Sequence, residues 1–559
     1  MLICTPINID YFRNMFMRTL LLAPLLMISY TIIGQKDTSN LGADRNFDIV
    51  GGKYRPKLEK SEKLRINPEL KTINTNPLQF SYDLSQYQAN TKRAATPLAP
   101  ISYKSKEKED WRGNYIKLGY GNFNMPLAEA YIFNLKDDKL IYGAEFKHLS
   151  ANRTNSFQDF SDNKIKFYGA RILKNNQFTI NLGYDRHSLR RFGLIPNNTD
   201  FTKKDLLRNY EDWNGSFRFN KLANKSKSPK VGFLLDYHSF NTNSRSKESS
   251  IEAVADFKMN AFEGQILADL GVMHTKVQTA NNFQERVFVD FNPRYTFKHP
   301  KEDIDITAGF KVAYLPQGSD TGIYVFPDLY AKYHLIKDYV IVYGGITGGL
   351  DKTMLRTQVY HNPFIADTFR LENSINLYRA YIGFEGKLTK NLEFLGEVSR
   401  SETDNLPLYI TNADTFSSFK VVYSYATILS FKAQLGYTFS SKFRSFLIAR
   451  VNDYNMASGS PWQLPTSEVR FRLQYNVQQK INLSAEAIYW GAREQKNLAL
   501  PGIQDIKAFA DVNFHIDYRY KKHFSFFANI NNITSSRIQR WYNYPTYSIN
   551  FLGGVNFSF

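Results

Sequence analysis

Four side chains that could do acid–base chemistry lie close together near the end of this chain. Asp511, His515, Asp517 and Arg519 are separated by even spacings, so a β-strand would place all four on one face. A histidine beside carboxylates can act as a general acid or base, which leaves a hydrolase site open as one interpretation. The other is the charged wall of a water-filled barrel, where mixed charges are ordinary. No serine stands in a recognisable nucleophile motif, so the wall is favoured and no enzyme is predicted.

Metal and phosphate chemistry have no comparable pattern. The nine histidines are scattered and show neither HExxH nor paired ligand spacing. Gly51-Gly52-Lys53 lacks the rest of a phosphate-binding loop. The sequence therefore predicts no catalytic residue, no metal and no cofactor.

The charged face belongs to a longer alternation with period two. Ile506 to Tyr520 alternates apolar and charged residues, and Ile304 to Tyr314 repeats the scheme. A face that carries so many charges cannot lie in a dry core, because unpaired buried charges cost too much free energy. It can line a wet lumen. The residues predicted to face the lumen are Asp305, Lys311, Asp505, Lys507, Asp511, Asn513, His515, Asp517 and Arg519.

The last residues, Tyr547 to Phe559, alternate in the same way and end on an aromatic. An ordinary half-buried strand could do this, but a barrel with lipid outside and water inside explains it better. Gly554, Phe557 and Phe559 resemble the insertion signal of bacterial outer-membrane barrels, which predicts the barrel-assembly machinery as a partner. Leu552 departs from the pattern, since it stands where a polar residue is usual.

The predicted fold class is all-β, a transmembrane antiparallel β-barrel. Residues 112–559 contain 22 or 23 candidate strands, and we expect about 22 in a range of 16 to 22. Short turns separate many of them, and longer polar stretches near 188–208, 350–373 and 401–416 are predicted loops on the opposite, extracellular side. Outside the N-terminus no apolar segment is long enough for a spanning helix. The 44 Phe and 36 Tyr fit the aromatic girdles of barrels.

Three regions are predicted along the chain. Residues 1–34 have the basic start, short apolar run and small-residue end of a signal peptide, with a true start at Met15 or Met17. Residues 35–110 form an extended basic periplasmic or lumenal segment with a proline-rich linker. Residues 111–559 form the barrel. The predicted location is the outer membrane of the cell.

The formal net charge is +19, but an exported chain without a nucleic-acid motif is not predicted to bind nucleic acid. Lipopolysaccharide, the periplasmic surface or an anion-favouring lumen fit better. A basic cluster in one predicted loop is interpreted as solvated or facing lipopolysaccharide, with an anionic-ligand site as the alternative. The basic cluster comprises Arg186, Arg190, Arg191, Lys203, Lys204 and Arg208.

The aromatic residues before the last strand have a different predicted role. Trp541, Tyr542 and Tyr544 are predicted membrane-interface residues.

The block from Ala508 to Phe559 resembles the closing strands of TonB-dependent receptor barrels. The residues that carry the resemblance are Phe526-Phe527-Ala528-Asn529-Ile530-Asn531-Asn532-Ile533, Trp541-Tyr542, Tyr544-Pro545 and the aromatic terminus. The Arg112 to Gly121 region, with Pro126 and Glu129, resembles receptor-like outer-membrane proteins of Bacteroidota.

The resemblance implies a receptor or transport barrel that binds or moves a solute through a charged lumen. The chain departs from the family in having no recognisable plug domain and no clear TonB-contacting box, which leaves TonB coupling open. The alternative is a structural or docking subunit of an envelope complex. In that case residues 35–110 would contact a periplasmic protein partner.

Overall fold

The computed structural model describes residues 113–559, except 135–136, 138, 153–156, 194–201, 223–227, 299–302, 317–320, 338, 369, 413–417 and 499. The predicted signal peptide and the segment 35–110 lie outside the described residues, and both stay predictions.

The described chain forms 26 strands and one short helix. The strands are β1 (Tyr115–Gly121), β2 (Met125–Phe133), β3 (Leu140–Ala151), β4 (Phe160–Leu173), β5 (Asn176–Arg190), β6 (Leu207–Lys221), β7 (Lys230–Thr242), β8 (Lys247–Ala261), β9 (Gly264–Gln278), β10 (Phe283–Lys298), β11 (Ile304–Leu315), β12 (Gly322–Ile336), β13 (Val340–Asp351), β14 (Ser374–Thr389), β15 (Leu392–Thr411), β16 (Phe419–Ser440), β17 (Phe443–Met456), β18 (Ser467–Val477), β19 (Ile481–Trp490), β20 (Arg493–Lys496), β21 (Ile503–Ile506), β22 (Phe509–Arg519), β23 (Phe524–Asn531), β24 (Gln539–Trp541), β25 (Tyr544–Pro545) and β26 (Asn550–Ser558). The helix α1 is Leu355–His361.

Twenty-two of these strands form one closed antiparallel barrel. Each barrel strand pairs with the next one along the chain, and β26 pairs with β1 to close the ring. The hairpins β20–β21 and β24–β25 form separate two-stranded sheets. The predicted fold class is confirmed, with the strand number at the top of the expected range.

The outward face of the barrel wall is apolar and exposed. Leu182, Val325 and Ile382 are 55%, 65% and 62% exposed, and similar residues recur on most strands. A soluble monomer rarely leaves so large an apolar surface in water, so this face suits a lipid environment. No helix in the described part of the chain is long and apolar enough to cross a membrane.

The two ends of the barrel differ. One end has mostly short connections, such as 441–442 and 390–391, while the other has the long connections 191–206 and 352–373. Those two long loops confirm the predictions near 188–208 and 350–373. The prediction of a loop over 401–416 is wrong for residues 401–411, because β15 continues to Thr411 and pairs with the 22-residue strand β16. A register shift between Thr403 and Leu406 accommodates the polar residues there within the sheet.

The closing strand β26 explains the unusual Leu552. This side chain is 7% exposed and packs with Met125, Leu127 and Phe527 in an apolar cluster on the polar face of the wall. Gly554 lies opposite Gly119 across the seam between β26 and β1. The close approach of the two strands therefore depends on the absence of side chains at this point.

We expect Gly554→Ala to weaken the closure of the barrel by about 2 kcal/mol or more. A Cβ at this position would lie 2.6 Å from the Gly119 Cα and 2.7 Å from a Phe527 ring carbon. Migration of unheated and heated protein in detergent gels reports the fraction of closed barrel. Gly553→Ala is the matched control, since its Cβ would meet only the Phe527 carbonyl oxygen at 3.5 Å. Equal behaviour of the two variants would contradict the prediction.

Candidate functional site

The predicted lumen residues of β11 lie on the polar face of the wall. Lys311 Nζ donates to Thr347 Oγ1 at 2.9 Å and to the Gly348 carbonyl at 3.1 Å. Asp305 lies opposite Lys332 in the register between β11 and β12. Apolar residues of β11, such as Phe310, point to the other face and are exposed. The contact of these polar groups with lumenal water stays a prediction.

The predicted charged strand near the C-terminus is shorter than expected. Asp511, Asn513, His515, Asp517 and Arg519 share one face of β22. Barrel strand β22 begins only at Phe509, however.

Asp505 and Lys507 do not belong to that strand. Asp505 lies on β21, which pairs with β20 outside the barrel wall, and Lys507 lies in the link between β21 and β22. The alternation runs through both strands in the same phase, so sequence periodicity could not separate them.

The structure does not bring the acid–base residues of β22 into a dyad. The His515 Nδ1 atom is hydrogen-bonded to Asn529 Oδ1 on β23. Asp511 lies four residues away on the same strand, about 13 Å along it. His515 thus contacts a neutral amide on the neighbouring strand.

A different feature occupies the barrel interior at the long-loop end. Residues 352–373, which connect β13 to β14 and contain α1, form a folded segment that we call the cap. Its apolar side chains pack against β5, β6, β7 and β9 and also against the upper ends of β15 and β16, which lie far round the ring. The cap therefore bridges the barrel at this end. Its core consists of Leu355, Val359, Ile365 and Leu371 from the cap, with Leu189, Tyr210, Phe240, Val277, Tyr409, Phe419, Val421, Trp541 and Tyr544 around them.

Two aromatic residues of the β24–β25 hairpin complete this core. Trp541 and Tyr544 are 7% and 3% exposed. The Tyr544 ring stacks on Phe364 of the cap at a centroid distance of 3.6 Å, and the Trp541 ring meets Tyr409 edge-on at 5.0 Å. Their prediction as membrane-interface residues is wrong, because the hairpin turns inward and buries both rings against the cap.

Hydrogen bonds hold the cap to the wall on several sides. Tyr210 donates its hydroxyl to the Pro363 carbonyl at 2.5 Å, and the Ala366 amide donates to the Phe419 carbonyl at 2.8 Å. The Gln284 side chain donates to the Leu371 carbonyl at 3.0 Å and accepts from the Leu371 amide at 3.1 Å. These bonds fix both the middle and the end of the cap.

An ion cluster forms around one carboxylate of the cap. Asp367 lies 3.5 Å from the guanidinium groups of both Arg191 and Arg208, and it accepts a hydrogen bond from Ser244 at 2.6 Å. Arg191 is 6% exposed. The interpretation of the basic loop as solvated is therefore wrong for these two arginines, which turn inward to pair with the cap.

The two ends of the cap contact charged residues of β8 and β10. Arg286 donates to the Asn373 side chain at 3.1 Å and to the Thr353 carbonyl at 2.7 Å. Lys352 lies 2.6 Å from Asp290 and 3.0 Å from Glu252. The cap is thus fixed at its entry and exit as well as at its centre.

A cavity of about 650 Å³ lies between the cap and the inner wall formed by β3 to β7. Its roof comes from α1 and the residues after it, and its wall carries Lys147, Asp162, Lys164, Lys166, Asp185, His187, Asp212, Asn214 and His238. The volume falls in the range typical of small-molecule sites. This cavity and its roof form the candidate functional site.

No protein-family model and no curated protein matches the sequence. Solved structures match the fold. A mutant of the ferric enterobactin receptor PfeA from Pseudomonas aeruginosa has a TM-score of 0.61 at 11% identity over 80% of both chains. The FrpB iron transporter from Neisseria meningitidis has 0.62 at 10% identity, over 80% of this chain and 81% of that one. The copper transporter OprC has 0.60 at 9% identity over 80% of both chains.

The barrel has the fold of a TonB-dependent receptor. At this level of identity the likeness concerns the fold alone. The resemblance to Bacteroidota proteins in particular stays a prediction. In the part of this TonB-dependent-receptor-like chain that the structure describes, the cap and the hairpin β24–β25 share one apolar core with strands from both sides of the barrel.

We expect Asp367→Asn to loosen the cap. The substitution leaves the buried Arg191 without its carboxylate, and since Asp367 is itself 24% exposed the cost should be about 2 kcal/mol. That cost corresponds to roughly 30-fold faster amide hydrogen exchange in residues 355–366. Mass spectrometry of exchanged peptides measures this rate.

The control for this experiment is Glu393→Gln. Glu393 is 54% exposed and pairs with Lys387 at 3.3 Å on the short-turn side of the barrel. An exposed pair contributes little, so exchange in the cap should not change. If Asp367→Asn left the exchange rate as slow as in this control, the ion cluster would not hold the cap.

Lys352 should stabilise the cap by a constant amount across neutral pH. Burial lowers the pKa of its ammonium group, but hydrogen bonds and charge attraction from Asp290 and Glu252 outweigh burial and leave the pKa above its usual value. When folding raises the pKa of a basic group, that group stabilises the folded state fully at any pH below its pKa in the unfolded chain. The stabilisation is lost as pH rises through the pKa in the folded chain. The difference in cap exchange between wild type and Lys352→Met should stay the same from about pH 6 to 9. A difference that shrinks within this range would contradict the assignment.

Proposed function

We propose that this chain is an outer-membrane receptor or transport barrel that binds or moves a solute through its charged interior. The observation that carries the proposal is a 22-strand barrel with an apolar outer face, a polar inner face and a cavity of about 650 Å³ under the cap. Barrels of this kind separate lipid from a polar lumen. The receptor and transporter titles of the matched structures support the same class.

The long loops belong on the cell surface under this proposal, and the short turns belong in the periplasm. The cap then covers the outer mouth, and the cavity lies below it inside the barrel. Outer-membrane lipid and lipopolysaccharide surround the wall, and the barrel-assembly machinery inserts it. Because the sequence has no clear TonB-contacting box, this proposal does not require coupling to TonB.

Passage would depend on selection by charge, with no covalent chemistry. The inner wall offers lysines, carboxylates and histidines to a passing solute, and the cap controls whether the mouth is open. Binding at the cavity would precede any displacement of the cap.

The competing proposal is a docking subunit of an envelope complex. The cap is joined to the wall by apolar packing, hydrogen bonds and ion pairs at once, as a permanently closed barrel would also require. In that case residues 35–110 would hold a periplasmic protein.

Ion conductance in planar bilayers tests the proposal. Four proteins are compared: the mature chain, a variant without residues 35–110, a variant with the cap replaced by a short turn, and the double variant. Conductance in any of them supports a path through the lumen. If none of the four proteins conducts ions, transport is contradicted. Docking would then be supported by a protein that co-purifies with the mature chain but not with the variant that lacks residues 35–110.

A further inference from the structure

The charged groups around the cavity largely pair with one another. Lys147 lies 3.2 Å from Glu129, and Lys164 lies 3.7 Å from Glu145. The His187 Nδ1 atom is hydrogen-bonded to Asp162. The wall therefore neutralises much of its own charge before any solute enters.

The remaining histidine of the wall lies between two carboxylates. His238 Nδ1 is 3.1 Å from Asp212, and its Nε2 is 3.1 Å from Asp236. Two carboxylates can both accept from one imidazole only if both ring nitrogens carry protons. His238 and its neighbours thus form a self-contained charged group, and Asp185 accepts from the Asn214 amide at 3.3 Å.

Two cations of the cavity are left without an ion pair among the described residues. Lys166 on β4 is one of them, and Arg356 on the cap helix is the other. The Arg356 Nε is buried and has no hydrogen-bond partner in the described part of the chain. The nearby Glu248 carboxylate accepts from the Arg356 backbone amide and attracts its charge, but no ion pair forms between them. A buried guanidinium N–H without a hydrogen-bond partner is costly, and a guanidinium matches the geometry of a carboxylate or phosphate.

The cap helix presents a second donor beside Arg356. Tyr360 follows it by four residues, so both lie on one face of α1, and both line the cavity. Leu355, Gln358 and Val359 are the buried residues of the same helix. The helix therefore packs Leu355 and Val359 into the cap core, while Arg356 and Tyr360 line the cavity.

We propose that the cavity under the cap binds the anionic group of a solute, a carboxylate or a phosphate, with Arg356 as the principal contact and Lys166 as the opposing cation on the wall. This inference rests on the proposed function and names its substrate class. Because Arg356 belongs to the cap, a bound anion connects the cap to the wall. Occupancy of the cavity and closure of the cap are then thermodynamically linked, each favouring the other.

Binding of two probe anions to the full-length protein in detergent tests the proposal by isothermal titration calorimetry. Citrate is the carboxylate probe and pyrophosphate is the phosphate probe. We expect saturable binding of at least one, weakened about tenfold or more by Arg356→Gln because a charge-assisted bidentate contact is lost. Arg356→Lys keeps the charge without the planar fork and should give an intermediate affinity.

The matched control is Arg370→Gln. Arg370 also belongs to the cap and is exposed, but it does not line the cavity. Removing its charge should leave the affinity for both probes as in wild type. A second readout is cap exchange, which the bound probe should slow in wild type and in Arg370→Gln but not in Arg356→Gln.

Three results would overturn the proposal: no saturable binding of either probe by wild type, equal affinity in Arg356→Gln and wild type, or an equal loss of affinity in Arg370→Gln. Each of these leaves the transport proposal intact if the cap-replaced variant conducts ions. If none of the four proteins conducted ions but the wild type bound a probe anion, the transport proposal would be rejected and the anion site would stand. The relative affinities for citrate and pyrophosphate show whether the site prefers a carboxylate or a phosphate group.

Discussion

Replacing residues 354–372 with a short glycine–serine turn is expected to convert a silent barrel into a conducting one. Asp351 and Ser374 are paired across β13 and β14, so a hairpin turn can join the two strands without changing the wall. The cap contributes Leu355, Val359, Ile365 and Leu371 to the core that bridges the barrel, and their removal takes away that bridge. We expect the conductance in planar bilayers to rise by on the order of tenfold or more, since a 22-strand barrel is wide enough to need a plug.

The control for this experiment is another loop change at the same end of the barrel. The tip of the β20–β21 hairpin, near Leu500 and Ile503, is exposed and apolar. Shortening it should leave conductance as in wild type. If the hairpin change and the cap replacement gave the same conductance, the cap would not be the element that closes the mouth. If the cap replacement stayed silent while residues 35–110 were also absent, the lumen would be blocked elsewhere.

The second large effect is expected from Tyr544→Ala. The Tyr544 ring is 3% exposed, stacks on Phe364 at 3.6 Å and meets Phe192 edge-on at 4.9 Å. Removing a buried aromatic ring costs about 3–5 kcal/mol, because the contacts are lost and a cavity remains. The loss should appear as faster hydrogen exchange throughout residues 355–366 and as bursts of conductance in a barrel whose strands remain paired.

Two variants bracket this prediction. Tyr544→Phe keeps the ring and should retain most of the protection of the cap. Tyr520→Ala removes an equally large side chain that is 56% exposed at the short-turn end, and it should leave the cap unchanged. If Tyr544→Ala exchanged no faster than Tyr520→Ala, the ring would be peripheral to the cap. Disappearance of the closed barrel from unheated gels would show that the hairpin supports the wall as well.

Period-two alternation predicted the barrel because it is a local property of each strand. Phe310 and Lys311 reveal the two faces of β11 without reference to any other part of the chain. The boundary of β22 was missed for the same reason, since alternation continues through the separate strand β21. The top of β15 was missed because a polar stretch within a register shift resembles a loop.

The cap could not be predicted because its contacts join residues far apart in sequence. Asp367 pairs with Arg191 and Arg208, and Trp541 and Tyr544 come from near the other end of the chain. No periodicity marks such contacts. One signal was available: the predicted loop near 350–373 is richer in apolar residues, such as Val359 and Leu371, than a solvated connection needs to be.

The continuity of the cap with the wall limits how the mouth can open. A separate plug domain could move out of the lumen as one unit. The cap is instead continuous with the wall at Asp351 and at Ser374, so it has no free end. Opening must therefore be a hinged displacement about two fixed points, in competition with every contact that holds the segment down. The ratio of open to closed barrels is then an equilibrium constant, which changes by about tenfold for each 1.4 kcal/mol of interaction gained or lost.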